Sequence, residues 1–268
     1  MPFVPAGYHM RHIERLSSGL LVCVLLPSLA VAQPSSEAGT QKAWSRSPRQ
    51  IPFQNDAQWE DNRWQSSDVG PFVTASIALP RGITFKGLAI RVGDRRQAAV
   101  CFDTGLLRIS AAWTGEFLKF GPRRFGLIQR PAVAGTVFYR TPNAAGWARG
   151  ERFQPRPAEY TLPDVEQGYT PAGKSIVHLP KDWAHYRGLY TSGQRVVLSY
   201  SVAAAGVLES PWYVESGEHG ALVRSLEIGP AADTLRMWVA DAEAQVRVRG
   251  ASAARLDKQP DGTTVLVV

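Results

Sequence analysis

The chain has 268 residues, 44% of them hydrophobic, with 24 glycines, 19 prolines and two cysteines. That much apolar material can build a core without a disulfide or metal staple, and the glycine and proline content suits many short strands joined by turns. The net charge of +7 comes from scattered arginines that form no stripe, which argues against a nucleic-acid partner.

The N-terminus reads as an export signal. Arg11, His12 and Arg15 are basic, Leu20–Leu26 (LLVCVLL) is a short apolar run, and Ala30-Val31-Ala32 offers small residues for a peptidase. Cleavage is expected between Ala32 and Gln33, with Met10 a possible alternative start. The run is too short for a permanent membrane helix, and Val22 stands where a lipid-anchor motif at Cys23 needs a small residue. The expected location is extracytoplasmic, periplasmic or secreted, with no transmembrane segment after cleavage. Removal of residues 1–32 takes Cys23 away and leaves Cys101 alone, without a disulfide partner. Its apolar, alternating surroundings predict a buried, inert thiol.

Residues 33–67 are polar and aperiodic and read as a flexible leader. From Gly70 the pattern becomes that of strands at about ten-residue spacing. Val73, Ala75, Ile77 and Leu79 mark one, Leu88, Ile90 and Val92 a second, and Ala98, Val100 and Phe102 a third. Leu107, Ile109, Ala111 and Trp113 mark a fourth on a single alternating face, and Thr136–Arg140 a fifth. Five prolines between Pro142 and Pro171 then interrupt the pattern, so 141–179 reads as a long excursion over one rim of the sheet. Ala184–Tyr190 and Arg195–Val202 predict a hairpin joined by the turn Thr191-Ser192-Gly193-Gln194, followed by a meander strand at Val207–Ser210. Leu222–Ile228, Leu235–Ala240, Gln245–Arg249 and Thr263–Val268 complete the series, with Asp261-Gly262 as the last turn. The expected fold is all-β, an antiparallel sandwich-like single domain over 68–268 with few helices. A chain that stops inside an apolar strand further suggests a piece of a longer protein.

Motifs for chemistry are sparse. Val100-Cys101-Phe102-Asp103-Thr104-Gly105 has the apolar–Asp-Thr-Gly form of aspartic proteases, which need two such aspartates sharing a proton. Here there is one copy, followed by Leu106, and the plain alternative is that Asp103 caps a turn with Gly105. His178, His185 and His219 lack metal-ligand spacing, and Gly-x-Ser-x-Gly is absent. No cofactor is expected. Tryptophans beside turns, Trp147, Trp183 and Trp212, could stack on sugar rings, whereas Trp113 and Trp238 sit in strand patterns that suit a core.

Three segments carry a resemblance: KGLAIRVGD (Lys86–Asp94), CFDTGLLRISAAWTGEFL (Cys101–Leu118), and DWAHYRGLYTSGQRVVLSYSV with VLESP (Asp182–Pro211). Together they resemble an uncharacterised domain near the N-terminus of large exported bacterial proteins, many of which carry a c-type cytochrome domain. The resemblance implies an extracytoplasmic β-rich module within a redox-associated chain and supplies no catalytic residues. This sequence has no Cys-x-x-Cys-His, so it cannot attach such a haem itself. The expected role is a non-catalytic binding or structural module, and the alternative is a carbohydrate-binding or carbohydrate-active protein. The candidate surface comprises Asp103, Trp113, Trp183, His185, Tyr186, Arg187 and Tyr190, with a carbohydrate or another exported protein as partner.

Overall fold

The structure, a computed structural model, describes residues 20–25, 68–121, 130–149, 179–180, 182–216, 219–241, 244–250 and 254–268. The strands in chain order are β1 (Leu20–Leu25), β2 (Phe72–Ala78), β3 (Ile83–Val92), β4 (Ala98–Asp103), β5 (Arg108–Thr114) and β6 (Leu118–Lys119). Next come β7 (Ala132–Val133), β8 (Thr136–Arg140), β9 (Trp147–Arg149), β10 (Ala184–Ser192), β11 (Arg195–Val202) and β12 (Ala205–Ser216). The last five are β13 (His219–Ile228), β14 (Leu235–Ala240), β15 (Gln245–Arg249), β16 (Arg255–Lys258) and β17 (Thr264–Val267). The described residues contain no helix long and apolar enough to cross a membrane.

Among the described residues three sheets form: β6-β7-β2-β3-β4-β5-β8, β10-β11-β12-β13-β1-β15 and β16-β17-β14-β9. Among the described residues pairing is antiparallel except for the parallel β2–β7 contact. All three sheets line one core. Leu88, Ile90, Val100, Phe102 and Ile109 come from the seven-stranded sheet, Val196, Leu198, Tyr200, Leu222 and Leu226 from the six-stranded one, and Met237, Val239 and Leu266 from the third. The described residues are thus all-β with mainly antiparallel sheets, as expected, and their sheets packed about one core suit a sandwich-like arrangement.

The central hairpin forms as its alternation requires. Val196, Leu198, Tyr200 and Val202 are buried, and Ser192 pairs with Arg195 across a two-residue turn. Gly193 takes φ 56°, the positive value a glycine-first hairpin turn needs. One departure matters on β10. A bulge between Tyr186 and Gly188 inserts Arg187 as an extra residue, so that Tyr186 pairs with Tyr200 and Leu189 with Leu198. Without it, Leu189 would point away from the core.

A second bulge corrects the reading of β5. Cys101 pairs with Ala111 but Phe102 pairs with Ile109, which leaves Ser110 as the extra residue. Ile109 therefore joins the main core, while Ala111 and Trp113 turn to the opposite face. There they meet Val73, Ile77, Cys101, Phe117 and Phe120 in a second core on the outer face of the same sheet. The Trp113 indole N–H donates to the carbonyls of Glu116 (3.0 Å) and Phe117 (2.8 Å), pulling the chain after β5 back underneath.

Strand β9 lies inside the stretch read as an excursion and pairs with β14. Residues 150–178, the rest of that excursion, lie outside the described residues, as does the leader at 33–67. Leu20–Leu25, read from sequence as the apolar run of a signal, is placed as a strand between β13 and β15.

Candidate functional site

A cleft of about 530 Å³ lies where the seven-stranded and four-stranded sheets meet. It is lined by Leu79, Arg81 and Gly82 of the β2–β3 turn, Ile83 and Thr84 at the start of β3, Arg108, the Arg140–Asn143 segment at the end of β8, Asp241 after β14, and the β16–β17 turn at Asp261 and Thr263.

Arg108 is its best-fixed wall. The side chain is 5% exposed, and its guanidinium donates from Nη1 to the Thr141 carbonyl (3.2 Å) and hydroxyl (3.0 Å). From Nη2 it donates to Asn143 Oδ1 (2.7 Å) and Asp103 Oδ2 (3.3 Å). Thr141 is itself fixed, since its N–H donates to the Ser110 carbonyl and its hydroxyl to that of Ile109. The bulge residue Ser110 links onward, accepting from the Thr84 hydroxyl (2.9 Å) and donating to the Cys101 carbonyl (3.0 Å). Such chained, buried hydrogen bonds hold a wall rigid.

Asp103 is committed to structure. Its Oδ1 accepts the N–H groups of Gly105 (3.0 Å) and Leu106 (3.1 Å), the turn cap that the plain reading expected. Burial pushes its carboxyl upward, against the pull of Arg108 and the two amides. Asp261 behaves oppositely. Hydrogen bonds from Thr263 hold its carboxyl below the usual range, so it is ionised at neutral pH and suited to accepting hydrogen bonds.

The charges in the cleft balance. Arg108 is offset by Asp103, and the exposed Arg81 and Arg140 share the lining with Asp241 and Asp261. Leu79, Ile83 and Pro142 supply apolar side chains to the wall, so the cleft is not lined by polar groups alone.

The surface expected from sequence is divided by the fold. Trp113 is fully buried in the second core and presents no face to a ligand. Asp103 is 3% exposed and stays inside the cleft wall. Trp183 is half-buried and packs on the main core. Tyr186, also half-buried, tilts against Phe102 with ring centroids 6.3 Å apart. Only His185, Arg187 and Tyr190 stand exposed, together on β10, which pairs on one side only among the described residues. Tyr190 is 61% exposed. Trp147 and Trp212, read as surface platforms, are buried too. Trp147 meets Tyr200 edge-on, and Trp212 lies under the Arg195 guanidinium at 4.2 Å. The sequence reading missed Arg81, Arg108, Arg140, Asn143 and Asp261, because segments far apart in the chain bring them together. The run Arg140-Thr141-Pro142-Asn143, a charged strand end followed by turn formers, was the one local hint.

Among the described residues, no group of three or more His, Cys, Asp and Glu is placed to hold a metal ion. Cys101 is fully buried, and burial pushes its thiol up to about 11.

Residues 100–209 match a family described as a domain of unknown function (DUF6797). The match runs from β4 through the β10–β11 hairpin to Glu209 in β12. It includes Arg108, Arg140 and Asn143 of the cleft but neither Asp241 nor Asp261. No curated protein and no solved structure matches the chain.

Proposed function

We propose that the protein is an exported, non-catalytic binding module that takes a neutral, polyhydroxylated ligand of the saccharide class in the cleft around Arg108. The observation that carries this reading is the balanced charge of the lining. A hydroxyl is at once donor and acceptor, so a sugar is matched by guanidinium and amide donors facing carboxylate acceptors. A cleft built for an anion would carry an excess of arginines, and here Arg81, Arg108 and Arg140 are matched in number by Asp103 behind the wall and by Asp241 and Asp261 in the lining.

The non-catalytic part rests on the state of the candidate groups. Asp103 is spent on its turn and on Arg108, Cys101 is held as a neutral thiol, and Asp261 is kept ionised and so is a poor general acid. Export follows from the basic–apolar–small pattern of residues 11–32. The resemblance to cytochrome-bearing exported proteins adds a redox-associated assembly as the setting for such a module.

Calorimetric titration with neutral oligosaccharides tests the reading. Arg140 is exposed, so Arg140→Ala leaves the fold intact and removes a charged donor, weakening binding by about tenfold or more. Tighter binding of glucuronate or phosphate than of any neutral sugar would replace this ligand class with an anionic one. Binding that ignores Arg140→Ala would move the site elsewhere.

A further inference from the structure

Strands β13 and β15 do not pair with each other. They stand one strand apart, and β1 fills the space, antiparallel to both. The register is continuous: Val22 lies opposite Arg224 and Val248, Cys23 opposite Val223 and Arg247, and Val24 opposite Leu222 and Val246. Positions 20, 22 and 24 are thus in register with the core side of the sheet, where Leu222, Arg224 and Leu226 are buried and Val246 and Val248 pack on the main core. Positions 21 and 23 are in register with Arg249 and Arg247, both exposed.

An empty gap here would be costly. It would leave one side of β13 and, among the described pairings, every strand hydrogen bond of β15 unmade, beside apolar core side chains. Yet the segment that fills the gap is the one whose sequence marks it for removal.

We propose that the gap between β13 and β15 is an acceptor slot for an extended strand. Leu20–Leu25 fills it in the unprocessed chain. Once the leader is removed, a segment of another exported protein fills it, apolar at alternate positions and acidic at the two positions facing Arg247 and Arg249. The second half rests on the export reading above. Main-chain hydrogen bonds to two strands supply the affinity, and the alternate side chains select the partner. The acidic requirement follows from cross-strand neighbours, since opposite charges facing each other stabilise a pair and like charges oppose it.

The slot is tested first in the full, unprocessed chain. Cys23 is in register with Arg247, so Arg247→Cys should form a disulfide with Cys23 on mild oxidation, mapped by mass spectrometry. Arg249→Cys is displaced by two residues, about 7–8 Å away on the diagonal, and should cross-link at least about tenfold less. Equal cross-linking, or none, overturns the slot.

The handover is tested on protein recovered after export. Intact mass reports whether residues 1–32 are gone, independently of any ligand. A leader that is retained overturns both the handover and the export reading. With the leader removed, a synthetic strand peptide carrying Leu, Val and Val at the core-side positions and Glu at the two outer ones should bind. Arg247→Glu with Arg249→Glu should weaken that binding by about tenfold, and a Lys-bearing peptide should restore it. Failure of the Glu peptide to bind, or indifference to the charge reversal, refutes the handover while leaving the export reading standing.

Discussion

Replacing Glu209 by Gln isolates a buried ion pair that ties two sheets together. Glu209 and Arg224 are diagonal neighbours on the adjacent strands β12 and β13, at 0% and 1% exposure. Arg224 Nε donates to Glu209 Oε1 at 2.6 Å, the Tyr200 hydroxyl donates to Oε2 at 2.7 Å, and Arg224 Nη1 reaches the Trp238 carbonyl of β14 at 3.4 Å. Burial favours a neutral Arg224, but the attraction of Glu209 and its hydrogen bond outweigh burial and hold the guanidinium charged. Gln keeps the volume and removes the countercharge, leaving a cation in the core. The expected loss is about 3–5 kcal/mol, a large part of the ~5–15 kcal/mol that holds a typical domain folded. Tyr200→Phe removes one hydrogen bond to a charged acceptor and should cost less, about 1.5–3 kcal/mol. Urea unfolding of both variants, and of Glu209→Leu with Arg224→Met, measures the terms. The double replacement should be less damaging than Glu209→Gln, because it leaves no unpaired charge. A Glu209→Gln loss under about 1 kcal/mol, or a double variant worse than the single one, would refute the view that this pair is desolvated and mutually dependent.

Cys101 predicts a pH effect. Its folded value near 11 lies above the unfolded value near 9.0, so the unfolded state releases the proton first and stability falls as pH rises between those values. Relative to Cys101→Ala, the wild-type chain should lose about 2–3 kcal/mol across that window, read from unfolding curves at fixed pH steps. Gly146 donates its N–H to the Leu106 carbonyl and accepts from Trp238 N–H, and a Cβ there would strike the Leu107 carbonyl. Since backbone cannot swing aside, Gly146→Ala should cost about 2–3 kcal/mol in thermal or urea unfolding. Tyr190→Ala, by contrast, removes an exposed ring and should change stability by no more than about 0.5 kcal/mol.

Much of the strand plan was legible because short apolar or alternating runs between turn signals mark strands whether or not burial alternates: Gln245–Arg249 alternates between exposed and half-buried, whereas Leu235–Ala240 is buried throughout. Thr136–Arg140, Leu235–Ala240 and Gln245–Arg249 form over the residues that such runs marked. Reading failed where the backbone breaks period two. Ser110 is an ordinary residue whose bulge moves Trp113 from one core to the other, and nothing local to the sequence announces it. Short strands such as Arg255–Lys258 carry polar residues at both faces and show no apolar period. The site was less legible than the fold. Aromatic residues near turns looked like a surface, but Trp147 and Trp212 are drawn inward by sheet packing, and the cleft depends on side chains from five separate segments.

The most direct test of the binding account is an amide NMR titration of the protein with neutral oligosaccharides. The account predicts that shifts concentrate at Arg81–Thr84, Arg140–Asn143 and Asp261–Thr263 around the cleft. Shifts confined to Trp183–Tyr190 on β10, or none at saturating sugar, would contradict it.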